Sequence, residues 1–214
     1  ELHRHSGHAL STVGLQIGQA QRTADGLEIG GQAAGQIAAI EIVQASAAQL
    51  FERGRQAGLV QGVVQGGQTV VAQRALYSAT FNFLNEIAPR YGIRTIWIDD
   101  PQPEAWEAAF AQAPEAVLAF AETPANPVLT LVDLEAVGEI AHAHGAWLMV
   151  DNTFATPFCQ RPLSMGADVV IHSTTKYLNG HGTVIGGAVV SPHLDYVNTS
   201  LYSMLKILGG SPSP

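Results

Sequence analysis

The residues best suited to chemistry lie in one stretch, Asp168-Val-Val-Ile-His-Ser-Thr-Thr-Lys176, followed by Tyr177-Leu-Asn-Gly-His-Gly182. An apolar run enters a polar turn that closes on a lysine, and the whole chain holds only one other lysine, Lys206. Such a turn delivers a primary amine and two hydroxyls, from Ser173 and Thr175, to one point. That set suits an aldehyde cofactor bearing a phosphate, with Lys176 forming the Schiff base once desolvation or a neighbouring cation frees its amine. Asp151 closes another apolar run. A carboxylate there is costly unless a cation meets it, and a protonated pyridine nitrogen is such a cation. Tyr77 follows a third apolar run and can stack on a flat heterocycle. Pyridoxal 5'-phosphate accounts for all five positions.

These side chains cooperate only if the elements bearing them lie side by side. From Thr69 onward the sequence alternates short apolar runs with amphipathic ones. Strands are expected at Thr69–Ala72, Ile93–Ile98, Ala116–Ala121, Ala146–Val150, Val169–Ile171 and Gly186–Ser191. Helices are expected at Thr80–Tyr91, Pro103–Gln112, Asp133–His144 and Leu194–Leu208, with Asp133 as an N-cap and Gly145 as a stop. Near-continuous apolar strands alternating with helices predict an α/β fold with a mostly parallel sheet covered on both faces. Ligands of such sheets bind beyond the carboxyl ends of the strands. Singly, Lys176 reads as a surface lysine, Asp151 as an acceptor of backbone N–H groups, and the hydroxyls as turn caps. Together at successive strand ends they favour the cofactor.

The bulk properties narrow the partners. The 214 residues are 47% hydrophobic and 13% charged, which is a globular composition, and the net charge of −8 disfavours nucleic acid and anionic membrane. The single Cys159 permits no internal disulfide and fits a reducing compartment. No apolar run is long enough to span a bilayer and no signal-peptide core opens the chain, so a cytoplasmic location is expected. His142 and His144, two apart on a helix, point in different directions and suit a helix C-terminus better than a shared metal. His3, His5 and His8 read as a solvated terminus, and Cys159 as a packing residue. No metal site is expected.

Residues 1–66 have another texture: Gln-, Gly- and Ala-rich, with Phe51 the one aromatic. Ala33–Leu50 reads as a helix. Gly54, Gly58, Gly62 and Gly66 recur every fourth residue, which weakens any isolated helix there.

The motifs also resemble a family. Ala75-Leu-Tyr-Ser-Ala-Thr80, Glu122-Thr-Pro-Ala-Asn-Pro127, Val150-Asp-Asn-Thr-Phe-Ala-Thr-Pro157, Gly166-Ala-Asp168, His172-Ser-Thr-Thr-Lys-Tyr-Leu-Asn-Gly-His181 and Ile185-Gly-Gly187 are similar to the trans-sulfuration enzymes of Cys/Met metabolism. The cystathionine γ-synthase, cystathionine γ-lyase and methionine γ-lyase types are among these pyridoxal-phosphate-dependent enzymes. The resemblance covers about Thr69 to Pro214 and implies a fold-type I transferase-like large domain. It implies Lys176 as the Schiff-base lysine and proton-transfer base, with Tyr77 stacking on the ring and assisting proton transfer. It further implies Asp151 on the pyridine nitrogen, Ser173 and Thr175 on the phosphate, and Asn126 near the ring. The implied reaction is γ-elimination or γ-replacement on homoserine esters, cystathionine or methionine, a small amino-acid substrate, in a homo-oligomer (dimer or tetramer).

Departures from the pattern bound that expectation. A glycine-methionine phosphate turn is missing around Phe51–Arg55, and no Tyr-x-Arg pair occurs in residues 1–66. The expected organisation is therefore an atypical segment 1–66, from a shifted reading frame or a foreign fusion. A cofactor-binding large domain at 67–214 follows, without the smaller C-terminal domain. One alternative stays open, a truncated, catalytically impaired family member; a phosphoacceptor module built on Asp151 would need an acidic pair at the first strand end, and Thr69–Tyr77 offers none.

Overall fold

The computed structural model describes strands at 20–23, 26–29 and 39–44 together with residues 63–183 and 185–201. The glycines at 54, 58 and 62, the histidines at 3, 5 and 8, Phe51–Arg55 and Lys206 lie outside the described residues. In chain order, β1 (Ala20–Thr23) and β2 (Gly26–Ile29) form an antiparallel hairpin, and β3 (Ala39–Gln44) follows. Then come β4 (Thr69–Gln73), α1 (Ser78–Asn82), β5 (Arg94–Ile98), α2 (Pro103–Gln112), β6 (Ala116–Glu122) and α3 (Leu134–Ala143). The chain continues through β7 (Trp147–Asp151), α4 (Thr156–Cys159), β8 (Val169–Ser173) and β9 (Gly186–Ser191) into the helical Tyr196–Leu201.

Seven strands make one sheet in the order β3-β9-β8-β7-β6-β4-β5. Strands β4 to β8 pair in parallel, while β9 runs antiparallel to both β8 and β3. The predicted parallel α/β sheet is thus present from Thr69 onward. One expectation for the first 66 residues differs from the structure. Within the expected helix Ala33–Leu50, residues 39–44 are a strand, because Ile40, Ile42 and Val43 favour extended backbone and β9 offers an open ladder. Strand β3 lies before the boundary read near residue 66, yet it hydrogen-bonds into the same sheet as β9. The hairpin β1–β2 was also not foreseen.

Side-chain alternation splits the strands between two cores. Val70, Ala72, Leu118, Phe120, Met149 and Ile171 face Phe83, Leu84 and Leu201 on one side. Val71, Ala119, Ala121, Leu148 and Val150 face Trp106, Phe110, Leu134 and Val137 on the other. Helices therefore cover both faces, as period-2 alternation with apolar residues at both phases demands. Asp133 accepts the Ala136 N–H at 3.1 Å and caps α3 as predicted. Gly138 of α3 approaches Gly166 so closely that a Cβ would sit 3.2 Å from the Gly166 carbonyl oxygen, so this helix packs only as glycine allows.

The opposite end of the sheet from the candidate site is tied by Asp168. Its carboxylate accepts the Leu148 N–H at 2.8 Å and lies 2.9 Å from both His142 Nε2 and His193 Nε2. The His193 ring in turn stacks on Trp147, centroids 4.6 Å apart. His144 turns away, stacking on Phe110 at 5.2 Å, so the two helix-end histidines have separate partners. Asp168→Ala is expected to leave the Leu148 amide unpaired and to cost about 2–4 kcal/mol, read as a lower urea midpoint. Cys159 is exposed, which corrects its reading as a packing residue: α4 is a single turn with no buried side chain.

Candidate functional site

The carboxyl ends of β6, β7 and β8 lie side by side, and each carries a sequence-nominated residue or leads directly to one. Asp151 is the last residue of β7 and Ser173 the last of β8, with Thr175 and Lys176 in the turn beyond. Tyr77 stands between β4 and α1, and Asn126 in the loop after β6. The parallel register explains this gathering, since every β-to-α connection leaves from the same edge.

Hydrogen bonds join these positions. Thr153 Oγ1 accepts the Ser173 N–H at 2.8 Å, and the Thr153 N–H reaches Asp151 Oδ1 at 2.9 Å. On the other side, Glu122 Oε2 accepts the Tyr77 N–H at 2.7 Å while Oε1 accepts the Asn126 N–H at 2.8 Å. Glu122 and Asp151 are register neighbours on β6 and β7. One hydrogen-bonded line therefore runs from the β8 turn through Thr153 to Asp151, and a second joins the Tyr77 and Asn126 loops through Glu122. Behind them Asn152 and Gln160 close the loop after β7, with Gln160 Nε2 donating to Asn152 Oδ1 at 2.9 Å and to the Thr123 carbonyl at 3.0 Å.

The electrostatics at this edge are unusual. Asp151 is buried, and burial holds its carboxyl above the usual range against the two Thr153 hydrogen bonds. No cation is ion-paired to it among the described residues. Glu122 is pushed up to about 7, first by burial and then by the charge of Asp151. His172 on β8 is buried and pulled down to about 4 by desolvation, so it is neutral at pH 7. Lys176 is exposed. The Thr175 hydroxyl accepts the Gly186 N–H at 2.9 Å and donates to the Gly186 carbonyl at 3.3 Å. The long donation is weak enough to be redirected to a ligand oxygen while the acceptance is kept.

The donor set fits pyridoxal phosphate on the structure's own terms. Asp151 supplies a buried carboxylate with no cation paired to it among the described residues, which a protonated ring nitrogen would satisfy. Lys176 offers an exposed amine in the turn beyond β8, and Tyr77 is half-buried between β4 and α1. Glu122 and Thr153 were not singled out from sequence, although Glu122 carries the same signal as Asp151: an acid ending an apolar strand. Thr153 gave no signal of its own.

Glu122 also sets a stability prediction. Its folded-state value lies above the 4.5 of an exposed carboxyl, so the folded form keeps a proton the unfolded chain has lost, and stability falls as pH rises between about 4.5 and 7. Relative to Glu122→Gln, the cofactor-free wild type is expected to lose roughly 3 kcal/mol across that window. Urea midpoints at a series of pH values measure it; a constant difference between the two proteins would contradict the assigned burial.

A family model for Cys/Met metabolism PLP-dependent enzymes matches residues 33–214. The match starts upstream of Thr69, where the motif resemblance begins, and takes in β3. An L-methionine gamma-lyase of Porphyromonas gingivalis is 46% identical over 153 residues, 71% of this chain and 38% of the relative. A probable cystathionine gamma-synthase of Herpetosiphon aurantiacus is 39% identical over 71% of this chain and 47% of its own length. The crystal structure of a cystathionine gamma-lyase from Micromonospora echinospora superposes with a TM-score of 0.72 at 37% identity, covering 81% of this chain and 43% of that one. The chain thus spans less than half the length of each of these relatives. By its motifs, its sheet and this match, the chain belongs to the pyridoxal-phosphate-dependent enzymes of Cys/Met metabolism.

Proposed function

We propose that this chain carries the cofactor floor of a pyridoxal-phosphate-dependent lyase or transferase. It acts by γ-elimination or γ-replacement on a sulfur-containing or homoserine-derived amino acid. The observation that carries the reading is Asp151: a buried carboxylate with no cationic partner among the described residues, on the strand next to the one that runs into the Lys176 turn. Relatives named as methionine gamma-lyase, cystathionine gamma-synthase and O-succinylhomoserine sulfhydrylase support the substrate class. When bound, pyridoxal phosphate supplies an electron sink for the bonds at the amino acid's α- and β-carbons.

The chain's residues have distinct tasks in this reading. Lys176 would hold the cofactor covalently, and its amine would be the base for the α-proton of the substrate. Asp151 pairs as a carboxylate with the ring nitrogen and favours its protonated form, and that cation in turn offsets the desolvation that burial imposes on the carboxylate. Tyr77 stacks on the ring and assists proton transfer. Ser173 and Thr175 donate to the phosphate, and Asn126 lies near the ring. Residues 67–214 form the cofactor-binding unit, in a homo-oligomer located in the cytoplasm. No helix among the described residues is long and apolar enough to cross a membrane.

Adding pyridoxal phosphate to the full chain tests the reading. The expected result is the visible absorption of lysine-bound cofactor. Borohydride should fix it, and peptide mapping should place the adduct on Lys176. No band, or an adduct on Lys206, would overturn the assignment.

A further inference from the structure

We infer that Glu122 is a positioning residue of this site, its buried carboxylate clamping the Tyr77 and Asn126 loops and giving up a proton when cofactor binds. The inference rests on the pyridoxal phosphate reading above. Its geometric basis is the double acceptance at 2.7 and 2.8 Å, one oxygen per loop, by a side chain only 4% exposed. A carboxylate suits this task because it offers two acceptor oxygens in one plane. A carboxamide offers one oxygen, and its NH₂ would face an amide N–H. The backbone is braced as well: Gln73 Nε2 donates to the Glu122 carbonyl at 2.7 Å and to the Ala75 carbonyl at 2.6 Å. The end of β4 is thereby tied to β6 at Gln73 as well as at Tyr77.

The proton linkage follows from the neighbours. Asp151 on β7 is the charged group that acts on Glu122. From the β4 side comes Tyr77, and Gln73 and Asn126 are neutral. Burial and the Asp151 charge together keep Glu122 protonated up to about 7. A ring cation against Asp151 cancels that repulsion, so the Glu122 carboxyl ionises, its proton passes to solvent, and both amide hydrogen bonds become charge-assisted. Below about pH 7, cofactor affinity should therefore rise with pH.

Calorimetric titration of the full chain with pyridoxal phosphate at about pH 6.5, in two buffers of different ionisation enthalpy, counts protons released. Induced circular dichroism in the cofactor band reports its orientation. Glu122→Gln is expected to bind about 10-fold more weakly, with reduced induced dichroism, and to release up to one proton fewer per site. Wild-type affinity, dichroism and proton count in the variant would overturn the inference and leave the cofactor reading standing. A wild type that binds no cofactor would overturn both. Should the variant fail to fold, infrared difference spectra of wild type decide: binding should abolish a protonated-carboxyl C=O band, and a difference spectrum without that loss would sink the inference.

Discussion

Lys176→Ala is expected to abolish the visible band of bound pyridoxal phosphate and to lower turnover by about 10³-fold or more, because in the proposed reading one side chain serves as both anchor and base. The fold should be nearly indifferent to the change. Lys176 is exposed, and none of the ion pairs among the described residues involves it. A urea midpoint within about 0.5 kcal/mol of wild type is therefore expected, as for other surface substitutions. Absorbance, turnover and unfolding on the same preparation check all three statements. A variant that keeps the band would move the anchor elsewhere. A variant that unfolds would show that the turn holds structure as well as chemistry.

Asp151→Asn is expected to act in opposite directions on the cofactor-free and cofactor-bound protein. Without cofactor, Asp151 is a buried acid whose proton affinity is raised above the ordinary carboxyl by desolvation. As pH rises from about 4, the unfolded chain loses this proton before the folded one, so stability falls; asparagine removes that decline. The Asn variant should therefore melt higher than wild type at neutral pH. With cofactor the order reverses. A neutral carboxamide offers no charge to a protonated ring nitrogen, so affinity should drop by about 10–100-fold, taking the stabilisation by ligand with it. Thermal melts with and without pyridoxal phosphate test the crossing. Parallel shifts in both states would show that Asp151 is not the ring's partner.

How much of this was legible in the sequence depends on what each residue had to announce. Lys176 and Asp151 could be nominated because they stand at successive strand ends; singly, each has an ordinary explanation, and only their placement together favours a cofactor. The parallel sheet was readable because strands buried on both faces become uninterrupted apolar runs, as in Ala116–Ala121. Glu122 sent the same signal as Asp151 and was passed over as part of a loop motif. Its role resides in two backbone amides brought close only by the fold. Thr153 is polar in a polar turn, so nothing in its type could show that it links Asp151 to Ser173. Strand β3 was misjudged for a related reason. Its ladder partner β9 is far along the chain, and local helix-compatible residues around it masked a pairing that only tertiary contact creates. The Asp168 link to two histidines is likewise a meeting of α3, β8 and the final helical segment.

The pairing of β3 with β9 also bears on the order in which the molecule can assemble. Ala39–Gln44 finds its ladder only in Gly186–Ser191, while β4, β6, β7 and β8 bond to neighbours much nearer in the chain. Closing so long a loop early would cost entropy with little return, so the parallel strands are expected to form first and present β9 as a template. Until then β9 is an open edge. The strand that follows the lysine turn therefore waits unprotected on one side, and a nascent chain is most exposed to wrong pairing at the border of its own chemistry.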